Sequence, residues 1–186
     1  MWLIGFFIGD GCISKFIDNR GNNNLEKYKV RFFSEHREAL EKVVAILNKY
    51  FHCGAKVIQN EKRSKLLNEV STSKKEVLNF LFEYGFWAGE KAYKIYIPQR
   101  VKENLNRENV YSLLSGLIDS DGNINKRDGY IEYYTVSVRL AEDILEVCTI
   151  AGIMISKSEK PTKRRNEVGG FRLRIPAYEA TQIKDT

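Results

Sequence analysis

The chain has 186 residues, 43% of them hydrophobic and 12% aromatic, so it is a globular protein with enough apolar side chain for one domain or two small halves. Its three cysteines, Cys12, Cys53 and Cys148, are scattered without paired spacing, which suggests neither a disulfide framework nor a thiolate zinc site and reads as buried free thiols. Thirty Lys and Arg against 24 Asp and Glu leave a net charge of +6, which favours a polyanionic partner.

In chain order, "MWLIGFFIG" opens a short apolar helix that is far too short to span a bilayer and carries no basic leader, so the expectation is a soluble, intracellular, cytoplasmic protein with no membrane partner. Polar strands near 12–17 and 27–34 follow, then a helix in "HREALEKVVAILNKYF", strands near 55–60 and 66–72, and a helix in "KKEVLNFLFEYGF". Residues 94–107, "KIYIPQRVKENLNR", read as a connection stiffened by Pro98, with Asn106 or Asn109 available to cap the next helix. That helix leads into strands near 123–126 and 130–138, a helix in "LAEDILEVCTIAG", strands near 153–158 and 171–175, and a short final segment. Each half reads as helix, hairpin, helix, hairpin, helix, an α+β arrangement over 1–93, a connection over 94–107 and a second half over 108–186. Only 65 residues follow Asp121, so the last helix of the second half is expected to be stunted, as in a domain excised from a longer chain.

The halves are related by an internal repeat. "LIGFFIGDGCISK" at 3–15 aligns without a gap on "LSGLIDSDGNINK" at 114–126, with six identities in thirteen positions, among them Gly5/Gly116, Asp10/Asp121, Gly11/Gly122 and Lys15/Lys126. An Asp-Gly pair alone marks any tight turn. Two copies that share the apolar run, the small residues and the downstream lysine mark a duplicated element.

Gly5 and Gly9 lie four apart, as do Gly116 and Ser120, so each copy places small residues on one helical face. Glycine inside a helix costs about 1 kcal/mol against alanine. Its use at equivalent places argues for two helices packed against each other at unusually short range. Such packing about a pseudo-twofold axis would bring Asp10 and Asp121 together at the helix C-termini, where the neighbouring acid and the helix dipole both disfavour a carboxylate. A hard divalent cation held by carboxylate and carbonyl oxygens would offset that charge, and magnesium suits an oxygen-only, water-retaining site.

"LIGFFIGDG" and "LSGLIDSDG" resemble the two signature motifs of the LAGLIDADG homing endonucleases, and the resemblance runs from residue 1 to about 176. The stretch "IYIPQRVKENLNRENVYSLLSGLIDSDG" resembles more specifically the endonuclease domains embedded in inteins. The resemblance implies a monomer of two αββαββα halves whose strands form a DNA-binding saddle, with the motif helices at the interface. It implies Asp10 and Asp121 as metal-binding acids, the carbonyls of Gly9 and Ser120 as auxiliary ligands, and Mg2+ as cofactor, with Mn2+ or Ca2+ able to substitute in binding. A catalytic basic residue is implied after the fourth strand of a half, where Lys74 and Lys75 both stand; the second half has no lysine there. Asp119 has Ile8 as its counterpart in the first copy and is read as structural.

The partner implied is double-stranded DNA, cut by a staggered double-strand break at a long target. "KYKVRF" alternates strictly, putting Lys27, Lys29 and Arg31 on one face of a strand and Tyr28, Val30 and Phe32 on the other. Arg172 and Arg174 alternate in the same way in "FRLRI", and "KPTKRR" adds Lys163, Arg164 and Arg165 on a loop. With Lys15 and Lys126 these are the candidate DNA contacts, arginines suited to guanine edges and lysines to phosphate. His36 and His52, the two histidines, have no metal or nucleophile partner nearby and are read as structural or phosphate contacts. The alternative on the same fold is a non-catalytic or maturase-like nucleic-acid-binding relative. The chain as it stands is not expected to splice itself, since it begins Met-Trp, ends "QIKDT" and contains no His-Asn pair.

Overall fold

The computed structural model describes residues 1–18, 25–59, 67–161 and 169–184. Within them the chain is α+β, with helices α1 (Trp2–Asp10), α2 (Arg37–Phe51), α3 (Lys75–Glu83), α4 (Gln99–Lys102), α5 (Arg107–Asp121), α6 (Val138–Ile150) and α7 (Ala177–Lys184). The strands are β1 (Gly11–Asp18), β2 (Leu25–Ser34), β3 (Ile58–Gln59), β4 (Asn68–Thr72), β5 (Gly122–Ile124), β6 (Ile131–Thr135), β7 (Ser156–Lys160) and β8 (Gly170–Ile175). They form two four-stranded antiparallel sheets of matching order, β1-β2-β4-β3 and β5-β6-β8-β7, so the repeat seen in the motifs extends to topology.

The chain divides into two compact units, one of Asp10–Glu90 and one of Met1–Gly9 with Lys91–Thr186. In the first, Ile13, Val30, Phe32 and Val70 point from the sheet into a core closed by α2 and α3. Helix α2 contributes Leu40, Val43 and Leu47, spaced at i, i+3 and i+7 along one stripe. Its C-terminus is closed by His52 in the left-handed conformation, φ 50°, which gives this histidine a structural role.

In the second unit α5 and α6 cover sheet β5-β6-β8-β7, with Leu114, Leu117, Tyr133, Ile144, Leu173 and Ile175 lining the interior between them. The Asn106 side chain caps α5 by accepting from the Asn109 backbone N–H at 2.8 Å, so of the two candidate caps Asn106 serves. Ser137 caps α6 in the same way, and its hydroxyl donates to the Ile95 carbonyl at 2.7 Å. That cap ends β6 at Thr135, short of the 138 expected from its apolar pattern.

The connection is strapped down rather than loose. Buried Asp143 of α6 accepts from the Ile97 N–H at 2.7 Å and from Lys102 Nζ at 2.6 Å, and Lys102 also donates to Glu146. Among the described residues the final segment forms α7, eight residues against nine in α3, where the sequence suggests a stunted end. Among the described residues strand β3 covers Ile58–Gln59, and residue 60 of the expected 55–60 lies outside them.

Candidate metal centre and nucleic-acid faces

The glycine stripe does what its cost implies. A Cβ on Gly5 would lie 2.1 Å from the Leu113 carbonyl oxygen, and one on Gly116 would lie 2.0 Å from that of Trp2. Helices α1 and α5 therefore meet backbone to backbone, in a reciprocal contact that no larger residue permits. Phe6, Phe7, Leu113, Leu114 and Leu117 seal the contact, all nearly fully buried. The Trp2 indole N–H donates to Asp119 at 2.7 Å, giving this carboxylate a structural partner.

The same packing lays the C-terminal end of α1 against that of α5. A Cβ on Gly9 would meet Ser120 Oγ at 2.0 Å and Asp121 Oδ2 at 3.0 Å, so Gly9, Ser120 and Asp121 are brought together. Asp121 is exposed as a residue, with its carboxyl crowded by surrounding protein atoms. Burial pushes its carboxyl above the usual carboxylate range, and the nearby Lys91 ammonium pulls it partly back. Asp10 is the last residue of α1.

Lys91 is the residue that sequence reasoning missed. Its Nζ donates to the carbonyls of Phe7, Ile8 and Gly9 at 2.7, 2.6 and 2.7 Å. These carbonyls belong to the last turn of α1, at the negative end of its dipole. The only sequence signal was a lysine in the stretch after α3, and its partners are main-chain oxygens that leave no side-chain pattern.

The residues present fit a hard divalent cation. An ammonium group already sits on the Gly9 carbonyl, so the helix end attracts positive charge. No cluster of three or more His, Cys, Asp or Glu occurs among the described residues, so side chains alone would leave coordination positions to carbonyls and water. Magnesium accepts that arrangement.

Lys27, Lys29 and Arg31 share the face of β2 opposite the core, as their alternation requires. Lys27 bonds Asp18 at 2.5 Å and Arg31 lies 3.6 Å from Glu69. Lys15 stands on the other side of the sheet. It shares the β1 face of Ile13, opposite to that of Lys27, and pairs with Glu26 at 2.6 Å, because strand periodicity places it an even number of residues from the core-facing Ile13.

Arg172 and Arg174 share the solvent face of β8. Lys126 is exposed in the turn after β5. Lys74 and Lys75 are exposed at the start of α3, and no described contact engages their ammonium groups. Lys163, Arg164 and Arg165 lie outside the described residues.

A family model described as "LAGLIDADG-like domain" matches residues 1–85 and 108–181. The chain belongs to the LAGLIDADG-like family. Its two matched segments carry the two motif copies. It is similar to the replication factor C small subunit of Methanocaldococcus jannaschii, with 30% identity over 167 residues, 90% of this chain but only 8% of that protein.

Two solved structures share the fold of this LAGLIDADG protein. The homing endonuclease I-DmoI in complex with DNA and Mn matches with TM-score 0.68 at 15% identity, over 100% of this chain and 93% of that one. The homing endonuclease I-WcaI bound to its DNA recognition sequence matches with TM-score 0.59 at 16% identity, over 99% and 77% of the respective chains. Among the described residues no helix is long and apolar enough to cross a membrane.

Proposed function

We propose that this LAGLIDADG protein is a site-specific DNA endonuclease of the homing type, acting as an intracellular monomer and making a staggered, Mg2+-dependent double-strand break in a long target. The observation that carries the reading is the helix-end cluster, in which the Gly9 backbone, Ser120 and Asp121 meet beside Lys91, which holds the Gly9 carbonyl, at the junction of two glycine-sealed helices. Family membership and the DNA-bound relatives of the same fold support it.

Asp10 and Asp121, with the carbonyls of Gly9 and Ser120, would hold the metal. A bound divalent cation there supplies Lewis-acid stabilisation of phosphoryl oxygen and lowers the pKa of coordinated water. The chain's own part is to fix these oxygens. The helix contact admits no side chain at Gly5 or Gly116, so it sets where the Gly9 carbonyl and Asp121 carboxylate lie. Lys91 Nζ holds the last turn of α1 and places a cation close to where the scissile phosphate would sit, with Lys74 and Lys75 as further candidate basic groups. Lys27, Lys29, Arg31, Arg172 and Arg174, on solvent faces of the two sheets, would grip the DNA.

Because the chain spans so small a share of its curated relative, we also assign it to an insertion of intein type within a longer host. The test is magnesium-dependent cleavage selection on randomised DNA, followed by Asp10→Asn and Asp121→Asn on the selected target. Both variants should bind and neither should cut.

A further inference from the structure

The solvent face of sheet β5-β6-β8-β7 carries one acid among its described strand positions, Glu132. It stands directly across from Arg174 in register, with Arg172 two positions along β8. Arg174 Nη2 donates to Glu132 Oε1 at 2.7 Å and its Nε to the same oxygen at 3.3 Å, while Arg172 Nε lies 3.6 Å from it. The Arg174 guanidinium also stacks over the Tyr130 ring at 4.2 Å, and Lys160 lies over Tyr134 at 4.8 Å.

On a surface for a polyanion, a carboxylate weakens attraction to phosphate, and lysines and arginines alone would bind any duplex. What the carboxylate adds is order. It pins two long side chains whose rotamers would otherwise have to be frozen at binding, and holds a planar fork in one orientation. Arg174 has five N–H donors and spends two on Glu132. Glu132 Oε2 accepts from no described residue. In a major groove, arginine pairs with guanine O6 and N7, and a carboxylate accepts from cytosine N4.

We infer that Glu132 is a specificity-determining residue, and that the Glu132–Arg174 pair selects a G·C base pair in the part of the target that lies under this sheet. The inference rests on the DNA-binding reading above.

The experiment is binding-site selection on randomised duplex with Ca2+ in place of Mg2+, for the wild type, Glu132→Gln and Arg174→Lys, with folding checked by thermal melting. The wild type should show a G·C preference at one position that falls by roughly tenfold in Glu132→Gln. Glu132→Gln should also bind non-cognate duplex more tightly, with a salt dependence steeper by about one ion. Arg174→Lys keeps the charge but loses the fork, so it should lose the same preference with little change in salt dependence.

If Glu132→Gln does not fold, Arg174→Lys carries the test. A wild type that selects a target while a folded variant keeps the full G·C preference overturns the inference alone. A wild type that selects no DNA sequence overturns the functional reading and the inference with it.

Discussion

Substituting Gly116 by alanine sets two effects of opposite sign against each other. Helix propensity favours the change by about 1 kcal/mol, since glycine is among the worst residues for a helix interior. The structure opposes it. The new Cβ would lie 2.0 Å from the Trp2 carbonyl oxygen and 2.7 Å from the Phe6 nitrogen. Carbon to oxygen contacts settle near about 3.3–3.6 Å, so the helices would have to part by roughly 1 Å or more.

Both obstructing atoms belong to the backbone and cannot rotate aside, which puts the overpacking cost at the upper end of about 1–3 kcal/mol. The net is a loss of about 2 kcal/mol, or a Tm lower by roughly 4–8 °C for a chain of this size. Urea and thermal unfolding followed by circular dichroism and by tryptophan fluorescence, from Trp2 in the contact and from Trp87, measure it. Gly5→Ala should behave alike. The double variant should cost less than the two losses combined, because helices parted for one Cβ already admit the other. A Tm that rises in Gly116→Ala, as propensity alone demands, would refute the close-contact account.

Three further outcomes follow from the same geometry. Lys91→Met leaves last-turn carbonyls of α1 without their cation and should destabilise the protein by about 1–2 kcal/mol and abolish cleavage, read by melting and by plasmid nicking. Asp143→Ala takes from Lys102 one of its two carboxylates and leaves the Ile97 N–H without its acceptor, and should cost about 3 kcal/mol in urea unfolding. Burial opposes the charge on Lys102, but its bonds to Asp143 and Glu146 leave its pKa raised. The wild-type pair therefore contributes fully below the ordinary lysine value, and its contribution fades as pH climbs through the folded one. Burial, aided by Glu179, pushes the Cys148 thiol up to about 12. The folded state thus holds that proton more tightly, and the thiol favours folding fully below the free-thiol value of roughly 8.5 and loses that contribution as pH rises towards the folded one. Alkylation followed by mass spectrometry should leave Cys148 unmodified until the protein unfolds.

The parts legible in sequence were those written in local periodicity or in repetition. Gly5 and Gly116 could be read because a helix interior tolerates glycine poorly, so a matched pair implies a contact that demands it. Lys27, Lys29 and Arg31 could be read because a strand with a buried face has one register. Lys15 was singled out by its distance from the motif aspartate, which says nothing of its strand face; that face follows from its parity with Ile13. Lys91 and Glu132 were invisible for a deeper reason. Lys91 acts on main-chain oxygens of a helix distant in sequence, and Glu132 acquires its meaning only from the β6–β8 register that sets it opposite Arg174. Both depend on tertiary pairing, which a period of two or of 3.6 does not encode.

The central claim is that the ends of the two motif helices form one metal-dependent cutting site. The most direct measurement is cleavage of a selected target by wild type, Asp10→Asn and Asp121→Asn over a magnesium titration, with binding measured in parallel. Double-strand cleavage that requires magnesium and is lost in either variant while binding persists is the predicted result. Full cutting by both variants, or cutting by the wild type without any divalent ion, would contradict the account.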